Sequence, residues 1–279
     1  MPELPEVETI KRDLVKQVLN KEIVEIKVNL LRAFENPHNL NTNGIISDIS
    51  RIGKYLVLTI DTVLPPPHPS PLTTHSYKLL IHLRMTGKLI YHKTSKGYDE
   101  KHVRVVIIFK DGDCLLFHDV RTFGKLEVIP FQASIESIKN LGVDAISDLF
   151  TLKYLAKICH SKKTPIKNLL LDQSLIAGIG NIYAQEILFA TRISPTRISN
   201  TLNKKEIKKI YAFTKEILEL AIKHNGTSIS DFRRVDDKTG EFQNFLKVYG
   251  KKTCCICEND LIKIKQGGRS TTYCEICQC

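Results

Sequence analysis

The chain has 279 residues, of which 42% are hydrophobic, and a formal charge of +11. This composition predicts about two domains with buried cores, and it excludes a mainly disordered chain and a chain with the roughly 20 consecutive apolar residues that span a bilayer. Residues 151–279 hold 22 Lys and Arg against 12 Asp and Glu, whereas residues 1–150 hold 19 against 18, so a polyanion such as nucleic acid is favoured as a partner over a merely solvated basic surface.

The chain opens with MPELPEVETI, which places two prolines and three glutamates in the first eight residues. Val7 and Ile10 lie on one face of an amphipathic helix that we predict over residues 5–18, with a proline in its first turn. No charged-then-apolar signal segment precedes this helix, so we expect a soluble intracellular protein. Order that begins at residue 2 needs a reason, because terminal residues are usually poorly ordered unless something ties them down.

Short β-rich runs follow the helix. They are EIVEIKV, YLVLTI, KLLIHL, VRVVIIF, CLLFHDV and GKLEVI. A proline-rich segment over residues 63–76 separates two of them and predicts an exposed loop insertion, because proline cannot donate to a strand ladder. The fold class that we predict is α+β, with two domains. The first, over residues 1–133, combines the N-terminal helix with an antiparallel β-sandwich.

From about residue 134 the apolar periodicity becomes helical, which predicts a second, helical domain over residues 134–245. Two of its helical segments flank AGIGN, whose glycines permit a tight turn, and the amides that follow could hold a phosphate together with the Asn181 side chain. An ordinary helix–helix corner explains the glycines equally well. The neighbouring lysines 162, 163 and 167 favour phosphate contact. Near the end of this domain the polar, glycine-containing segment NGTSISDFRRVDDKTGEF predicts a mobile loop.

Six of the eight cysteines lie in the last 26 residues. Cys254 and Cys257 form one C-x2-C pair, and Cys274 and Cys277 form a second pair sixteen residues later, which is the spacing of a four-cysteine zinc ribbon. Zinc suits a tetrahedral thiolate site, although the spacing alone also admits iron.

The segments DLIKIK and RSTTYC predict the two strands of a hairpin with QGG as its turn. We therefore predict a zinc-finger hairpin over residues 246–279. Flanking lysines and Arg269 favour a DNA-facing hairpin over a purely structural metal clip. Cys255 and Cys279 fall outside the metal register, and Cys114 and Cys159 are expected to be buried small hydrophobic residues.

A series of motifs runs in order along the whole chain. They are MPELPE at the start, GKY at 53–55, HLRMTGK at 82–88, EKH at 100–102, DVRTFGK at 119–125, GIGNIYAQE at 178–186, VYGK at 248–251 and the C-x2-C-x16-C-x2-C end. Together they closely resemble the bacterial formamidopyrimidine-DNA glycosylases. The resemblance implies a base-excision-repair enzyme that is both a DNA glycosylase and an abasic-site lyase and removes oxidised purines, 8-oxoguanine and formamidopyrimidines, from duplex DNA. It also implies that the helical domain is a DNA-binding helix-two-turn-helix domain.

The resemblance assigns four catalytic residues. Pro2, exposed by removal of the initiator methionine, is the nucleophile that forms a Schiff base with the sugar C1′, and an α-amine with a pKa of about 7.7 to 8 suits that role. Glu3 corresponds to the acid–base glutamate, and Lys54 to a lysine that contacts phosphate and assists base release and β-elimination. Arg269 corresponds to the hairpin arginine that grips phosphates and is implicated in δ-elimination. Glu6 matches a position near the lesion.

The resemblance also assigns residues that contact DNA. Met85, Arg121 and Phe123 fill the gap left by a flipped-out base, and Arg121 pairs with the orphaned cytosine. His102, Lys162 and Asn181 are phosphate contacts. These last three complete the set of expected DNA-binding positions.

The sequence departs from the family pattern at two places. Arg104 stands where many members carry a second histidine, and the insertion over 63–76 is longer than usual. The loop over 226–242 corresponds to the segment that closes over the flipped base. We expect one Zn²⁺, damaged double-stranded DNA as the partner, no small-molecule cofactor, no membrane partner and a monomer in the bacterial cytoplasm, associated with the nucleoid.

Two alternative functions remain open from the sequence. The related endonuclease VIII branch removes oxidised pyrimidines, but it typically has glycine where Leu4 stands and lacks the methionine, arginine and phenylalanine of the gap-filling set. A non-catalytic zinc-ribbon DNA-binding protein would explain the tail and the charge. It would leave the MPE start and Lys54 without a role.

Overall fold

The computed structural model describes residues 1–62, 75–229 and 231–279, and the chain divides into two compact units. The first unit comprises Met1–Lys139 and Asn225–Glu241, and the second comprises Asn140–His224 and Phe242–Cys279. The predicted domain bounds differ from this division mainly at residues 225–241, which belong to the first unit instead of the helical domain. The reason is a long-range one, because Phe232 and Val235 are buried in the hydrophobic core of the first unit.

The first unit begins with helix α1, Leu4–Val18. Glu3 is its N-cap, and Glu3 and Glu6 form a reciprocal capping box in which the Glu6 carboxylate accepts the Glu3 backbone N–H at 2.8 Å. One face of the helix, including Val7, Ile10 and Leu14, is fully buried. The predicted helix over residues 5–18 is therefore confirmed.

Over the described residues, nine strands form the sheet of the first unit. They are β1 Glu22–Val28, β2 Phe34–Glu35, β3 Gly44–Ile52, β4 Tyr55–Thr62, β5 His75–His82, β6 Gly87–His92, β7 Val103–Phe109, β8 Cys114–Asp119 and β9 Lys125–Pro130. Their hydrogen-bonded order is β2-β9-β5-β4-β3-β1-β7-β8-β6. The described pairings are antiparallel except for the short β2–β9 pair, so the predicted antiparallel β architecture is confirmed.

The halves of this sheet share one hydrophobic core. It collects inward-facing residues of β3, β4, β5 and β9 with those of β1, β6, β7 and β8, and helix α1 packs against it. Strand β1 joins the two halves and pairs with β3 only at Glu22 with Ile45 and Ile23 with Gly44. A short helix α2, Glu136–Lys139, ends the unit's first segment.

Three strands of the first unit are absent from the sequence prediction: the two-residue β2, and the longer β3 and β6. Strand β3 contains a register shift between Ile46 and Asp48, which breaks the alternation of buried and exposed residues that identifies a strand. Strand β6 follows a tight turn in which a Cβ on Gly87 would lie 2.4 Å from the Leu83 carbonyl oxygen. The predicted proline-rich loop over 63–76 falls mostly on residues 63–74, outside the described residues.

The second unit is mainly helical. Its helices are α3 Leu152–Ser161, α4 Ile166–Leu171, α5 Asn181–Thr191 and α6 Lys204–Lys223. Two short strands, β10 Val143–Asp144 and β11 Ile176–Ala177, pair in parallel, and β12 Ile262–Gln266 pairs with β13 Arg269–Tyr273 in the predicted C-terminal hairpin. None of the helices described is long and apolar enough to cross a membrane.

Candidate active site

The N-terminus of the first unit is ordered and buried from its second residue. Pro2 and Glu3 are buried, whereas Met1 is 41% exposed. The Glu6 carboxylate accepts the backbone N–H of Glu3 on one oxygen and that of Thr227 at 2.7 Å on the other. One buried carboxylate therefore connects the start of the chain with the segment over 225–241, which is the segment that the sequence predicts to be a mobile loop.

Lys54 lies in a two-residue turn between β3 and β4. Gly53 precedes it with φ of +58°, a conformation that favours glycine. Lysines in turns are usually solvated, but Lys54 is only 6% exposed. The Arg51 guanidinium donates to the Gly53 carbonyl at 2.8 Å and to a carboxylate oxygen of Glu8 at 3.0 Å. The turn that carries Lys54 is thereby tied to helix α1.

Glu8 is held in its charged form at this position. Burial raises the pKa of the Glu8 carboxyl, but hydrogen bonds from Arg51 and Arg12 outweigh that effect and hold the pKa below its ordinary value. A charged Glu8 keeps Arg51 in place at neutral pH. The sequence analysis missed Glu8 and Arg51, although both lie beside the MPELPE and GKY motifs.

Met85, Arg121 and Phe123 come together on the surface of the first unit. Met85 is 42% exposed and Phe123 is 56% exposed, so neither is a core residue. The Arg121 guanidinium lies 3.6 Å from the Met85 sulfur, and its carbon Cζ lies 5.1 Å from the centre of the Phe123 ring. Residues 36 positions apart in the sequence therefore form one contiguous exposed cluster, which we call the exposed triad.

His82 supports the turn that precedes Met85. Its Nδ1 accepts the backbone N–H of Arg84 at 2.9 Å, and its ring packs edge-on against Tyr55 with centroids 4.3 Å apart. Burial lowers the pKa of His82 to about 3, and the positive charges of Arg84 and Lys54 act in the same direction. The ring is therefore neutral at pH 7. The HLRMTGK motif, which begins with His82, could have identified it.

His102 has φ of +69° and lies beside Arg104 at the start of β7. The Arg104 guanidinium donates to the Asp119 carbonyl at 2.7 Å and lies 3.0 Å from Nδ1 of His102. The ring of His102 also packs edge-on against His118. Arg104, the noted departure, therefore has a structural role in holding His102.

In the second unit, Asn181 is the first residue of α5 and is joined to the C-terminal hairpin. Its side-chain oxygen accepts from Lys167 Nζ at 2.7 Å, and its side-chain nitrogen donates to the Ser270 carbonyl at 3.1 Å. Lys167 is fully buried and also donates to the Thr271 hydroxyl at 2.7 Å. The sequence analysis counts Lys167 among the lysines that favour phosphate contact, but this side chain is fully buried and its ammonium binds side chains inside the protein.

Arg269 and Lys162 are both exposed in the second unit. Arg269 begins β13 directly after a two-glycine turn, in which Gly267 and Gly268 have φ of +55° and +74°. Lys162 lies at the C-terminal end of α3, and its carbonyl accepts from the Ser199 hydroxyl at 2.7 Å. Both side chains are available to an external anion.

The four cysteines of the two C-x2-C pairs converge at the base of the hairpin. The sulfur atoms of Cys254, Cys257, Cys274 and Cys277 all lie within 4.8 Å of one another. A tetrahedral ion with metal–sulfur bonds of about 2.3 Å places its sulfurs about 3.8 Å apart, and Cys254 and Cys277 are separated by 3.9 Å. This donor set fits one tetrahedral metal ion that prefers thiolates.

The other four cysteines lie outside this cluster. Cys255 and Cys279 are exposed. Cys114 and Cys159 are buried, and burial raises the pKa of their thiols to about 11 and about 12. Each of the four therefore sits where the sequence analysis expects it.

Glu186 explains why the GIGNIYAQE and VYGK motifs occur together. This carboxylate is buried in α5 and accepts the backbone N–H groups of residues 247, 248 and 249 at 2.8, 3.1 and 2.8 Å. Burial raises its pKa, and the three hydrogen bonds partly offset that effect. The chain that enters the hairpin is thus fixed to α5.

Two family descriptions match the chain. Residues 1–126 match the formamidopyrimidine-DNA glycosylase N-terminal domain, and residues 141–233 match the formamidopyrimidine-DNA glycosylase H2TH domain. Among curated proteins, the formamidopyrimidine-DNA glycosylases of Wolbachia pipientis and Rickettsia conorii are each 38% identical, over 100% of this chain and 100% and 99% of their own lengths.

Solved structures agree with these matches. A Lactococcus lactis FPG mutant in complex with DNA containing Fapy-dG is 34% identical with a TM-score of 0.86, and MutM in complex with DNA containing carbocyclic 8-oxo-G is 35% identical with a TM-score of 0.86. Each comparison covers 99% of this chain and 99% of the other chain. The chain belongs to the formamidopyrimidine-DNA glycosylase family.

Proposed function

We propose that this protein removes oxidised purines from duplex DNA and then cleaves the strand, with the N-terminal amine of Pro2 as the nucleophile once Met1 has been removed. The observation that carries the proposal is the buried, ordered chain start, in which Pro2 and Glu3 precede a helix whose Glu6 caps residue 3. A terminal amine has a pKa of about 7.7 to 8, so a useful fraction is unprotonated near neutrality. A catalytic amine must be held in place.

The reaction balances as follows. The Pro2 nitrogen bonds to C1′, the glycosidic bond breaks, and the base leaves with its electron pair and takes up a proton. The C1′–O4′ bond then breaks as the nitrogen loses its proton and O4′ gains one, which leaves a cationic iminium. The iminium withdraws electrons, so that loss of a C2′ proton expels the 3′ phosphate and loss of a C4′ proton in a second elimination expels the 5′ phosphate. Glu3 moves protons at the sugar, Lys54 assists base release and β-elimination, and Arg269 binds flanking phosphate during δ-elimination.

The target base must leave the duplex before it can react, and this costs a few kcal/mol of stacking and pairing. The exposed triad is suited to enter the resulting gap because it combines two exposed apolar side chains with a guanidinium that can hydrogen-bond the opposite cytosine. His102, Lys162 and Asn181 are proposed to bind phosphate. This arrangement supports oxidised purines over the pyrimidines of the endonuclease VIII branch, as does the fully buried Leu4.

We propose that the metal is one Zn²⁺, held by Cys254, Cys257, Cys274 and Cys277. When bound, it neutralises part of the thiolate charge and cross-links the base of the hairpin that carries Arg269. No catalytic step uses it. Since the substrate is DNA, we propose that the protein acts at the bacterial nucleoid, in the cytoplasm. We also propose that it is a monomer with no small-molecule cofactor and no membrane partner.

The test is covalent trapping with sodium borohydride. Mature protein lacking Met1 should form a covalent complex with duplex DNA that carries 8-oxoguanine opposite cytosine. Thymine glycol in the same duplex, which represents the endonuclease VIII alternative, should trap less. Pro2→Gly should lower trapping by about tenfold or more, because the secondary amine that gives the cationic iminium is lost.

Pro37→Gly is the matched control, since Pro37 is an exposed loop proline, and it should trap as the wild type does. Protein that keeps Met1 should not trap at all. Equal trapping by the Met1-blocked and mature forms, or no trapping by mature, zinc-loaded protein, would exclude the proposed mechanism.

A further inference from the structure

Asp119, at the end of β8, is a fully buried carboxylate outside the proposed catalytic set. Its Oδ1 accepts a short hydrogen bond from the Thr86 hydroxyl and a second from the backbone N–H of Arg121 at 3.2 Å. Its Oδ2 accepts the backbone N–H of Gly124 at 2.7 Å. The Thr86 oxygen also accepts the Arg121 N–H, at 3.1 Å. One carboxylate therefore collects donors from two separate turns.

These two turns carry the whole exposed triad. Thr86 directly follows Met85, and the Arg121 and Gly124 amides bracket the turn that presents Arg121 and Phe123. The exposed ends of the triad contact one another through the Arg121 guanidinium, which lies 3.6 Å from the Met85 sulfur and 5.1 Å from the centre of the Phe123 ring. The backbone beneath these side chains is hydrogen-bonded to the carboxylate.

Both turns also contain backbone that ordinary residues avoid. Arg84 has φ of +53° and Thr122 has φ of +59°. A positive φ is uncommon for any residue with a Cβ and is unfavourable for a β-branched residue such as threonine. Such conformations persist only where the surroundings fix them. The Arg121 and Gly124 amides, which flank Thr122, are bound to Asp119, whereas the Arg84 N–H is bound to His82 and Thr86, two residues later, is bound to Asp119.

The close approach of the second turn depends on glycine. A Cβ on Gly124 would lie 2.6 Å from Cζ of Phe117 and 3.1 Å from Oδ2 of Asp119. The chain can therefore donate its N–H to the carboxylate only where no side chain intervenes. The Asp119 carboxylate and Gly124 are therefore both needed to hold this turn in place.

We propose that Asp119 is a positioning residue that preassembles Met85, Arg121 and Phe123 as a single unit for insertion into the DNA gap. This inference rests on the proposed function, because it assumes that the exposed triad enters the duplex. Asp119 does not touch the reacting atoms. Its effect is confined to the step in which a base leaves the stack.

The variant Asp119→Asn is the direct test, because it keeps the size of the side chain but has one acceptor oxygen. Its amide group would face the N–H of Gly124 or the donors of Thr86 and Arg121, so one set of hydrogen bonds must be lost. Thr86→Val is a milder second variant, because it removes the hydroxyl that donates to Asp119 and accepts the Arg121 N–H but keeps the hydrogen bonds of the Arg121 and Gly124 amides to Asp119. Asp48→Asn makes the same chemical change at an exposed strand position and is the control.

Two substrates separate positioning from folding. Single-turnover excision of 8-oxoguanine from duplex DNA requires base flipping, whereas cleavage of a single-stranded oligonucleotide with an abasic site requires the amine chemistry without it. We expect Asp119→Asn to slow duplex excision about 30-fold or more, as misplaced positioning groups do. Single-stranded cleavage should stay within about threefold of wild type. Thr86→Val should show the same pattern with a smaller loss, and Asp48→Asn should match the wild type.

The preference for cytosine over adenine opposite the lesion should also weaken in Asp119→Asn, since Arg121 would no longer be held. Equal losses on both substrates would mean that Asp119 only maintains the fold, and unchanged duplex excision would mean that it positions nothing; either result overturns the proposal. Wild-type protein that cleaves neither substrate would overturn the proposed function itself, and the inference would fall with it.

Discussion

The two units hold their exposed functional side chains by different means. In the first unit, turns lie over a large hydrophobic core, and buried carboxylates such as Glu6 and Asp119 collect the backbone N–H groups of those turns. In the second unit, a smaller buried cluster combines Phe189 and Val248 with two of the metal-site cysteines, and Leu261 packs against it. A buried ammonium and a buried carboxylate support the hairpin there, and four cysteine sulfurs converge at its base.

The difference teaches that a segment with little apolar surface of its own needs strong polar or metal cross-links. Small folded segments bury too little area to be stable without them. If this comparison is right, loss of the cross-links should unfold the hairpin and leave the first unit intact.

The largest effect is expected for Cys254→Ser. Because structural zinc sites contribute their binding free energy directly to folding, losing one thiolate should release the metal and unfold the hairpin, with a loss of DNA affinity of about 100-fold or more. Metal content by mass spectrometry and DNA binding by fluorescence anisotropy measure the two effects. Hydrogen exchange should show lost protection in residues 246–279 only.

The adjacent Cys255→Ser is the matched control, since Cys255 is exposed and outside the four-sulfur cluster. It should keep its metal and its affinity. Protected hairpin amides in Cys254→Ser protein free of metal would contradict the view that the metal takes the place of a core.

A smaller effect is expected for Lys167→Met, which keeps the volume of the side chain and removes its charge. Asn181 and Thr271 would each lose a hydrogen bond from a charged donor, partly offset by the relief of burying an ammonium, so the free energy of unfolding should fall by about 2–3 kcal/mol. Urea unfolding measures this. Lys163→Met, at an exposed position nearby, should change stability by less than about 0.5 kcal/mol. If the two variants had equal free energies of unfolding, Lys167 would not stabilise the hairpin.

The first unit should respond to acid through His82. Its folded-state pKa of about 3 lies below the ordinary value of about 6.5, so the unfolded chain binds more protons between these values. Its contribution to stability is complete above about pH 6.5 and is lost as the pH falls, by up to about 1.4 kcal/mol per pH unit. When the pH falls from 7 to 4.5, the free energy of unfolding of His82→Phe should therefore decrease by about 2 kcal/mol less than that of the wild type.

The control for this experiment is His38→Phe, which changes an exposed histidine and should leave the pH dependence as it is. The readout is the slope of the free energy of unfolding against pH, because His82→Phe also removes the acceptor for the Arg84 N–H and so lowers stability at every pH. If the free energy of unfolding of His82→Phe and of wild type changed with pH in parallel, His82 would not be buried in its neutral form.

Much of this organisation could be predicted from the sequence where the signal is local. Helix α6 lies within the region that the helical periodicity predicts, and Asn203 and Glu206 form a capping box at its start. The metal cysteines follow from their spacing. Strand β3 was hidden by its register shift, and local sequence gives no sign that Phe232 and Val235 pack into a distant core.

Within the candidate site, sequence motifs identify exposed residues better than their supports. A basic run does not reveal that Lys167 is the member that finds partners inside the protein, 14 and 104 residues away. Asp119 stands at the start of DVRTFGK, yet its link to Thr86 joins residues 33 apart and exists only after the two turns have folded. Hydrogen bonds of this kind join residues that are far apart in the sequence, so local sequence motifs do not predict them.

The smallest predicted effect concerns Lys162, whose exposed side chain we do not expect to contribute to stability. Lys162→Ala should leave stability unchanged and weaken DNA binding by about three- to tenfold at low salt, because one phosphate contact is removed. The plot of log affinity against log salt should become shallower by about one unit, so that variant and wild type converge as salt rises. Lys110→Ala is the control, since that exposed lysine pairs with Glu22 in the first unit and should keep the wild-type slope. If instead the two lysines change the slope equally, the basic excess of residues 151–279 does not mark where phosphate binds, and the contrast in charge between the two halves of the chain loses its functional meaning.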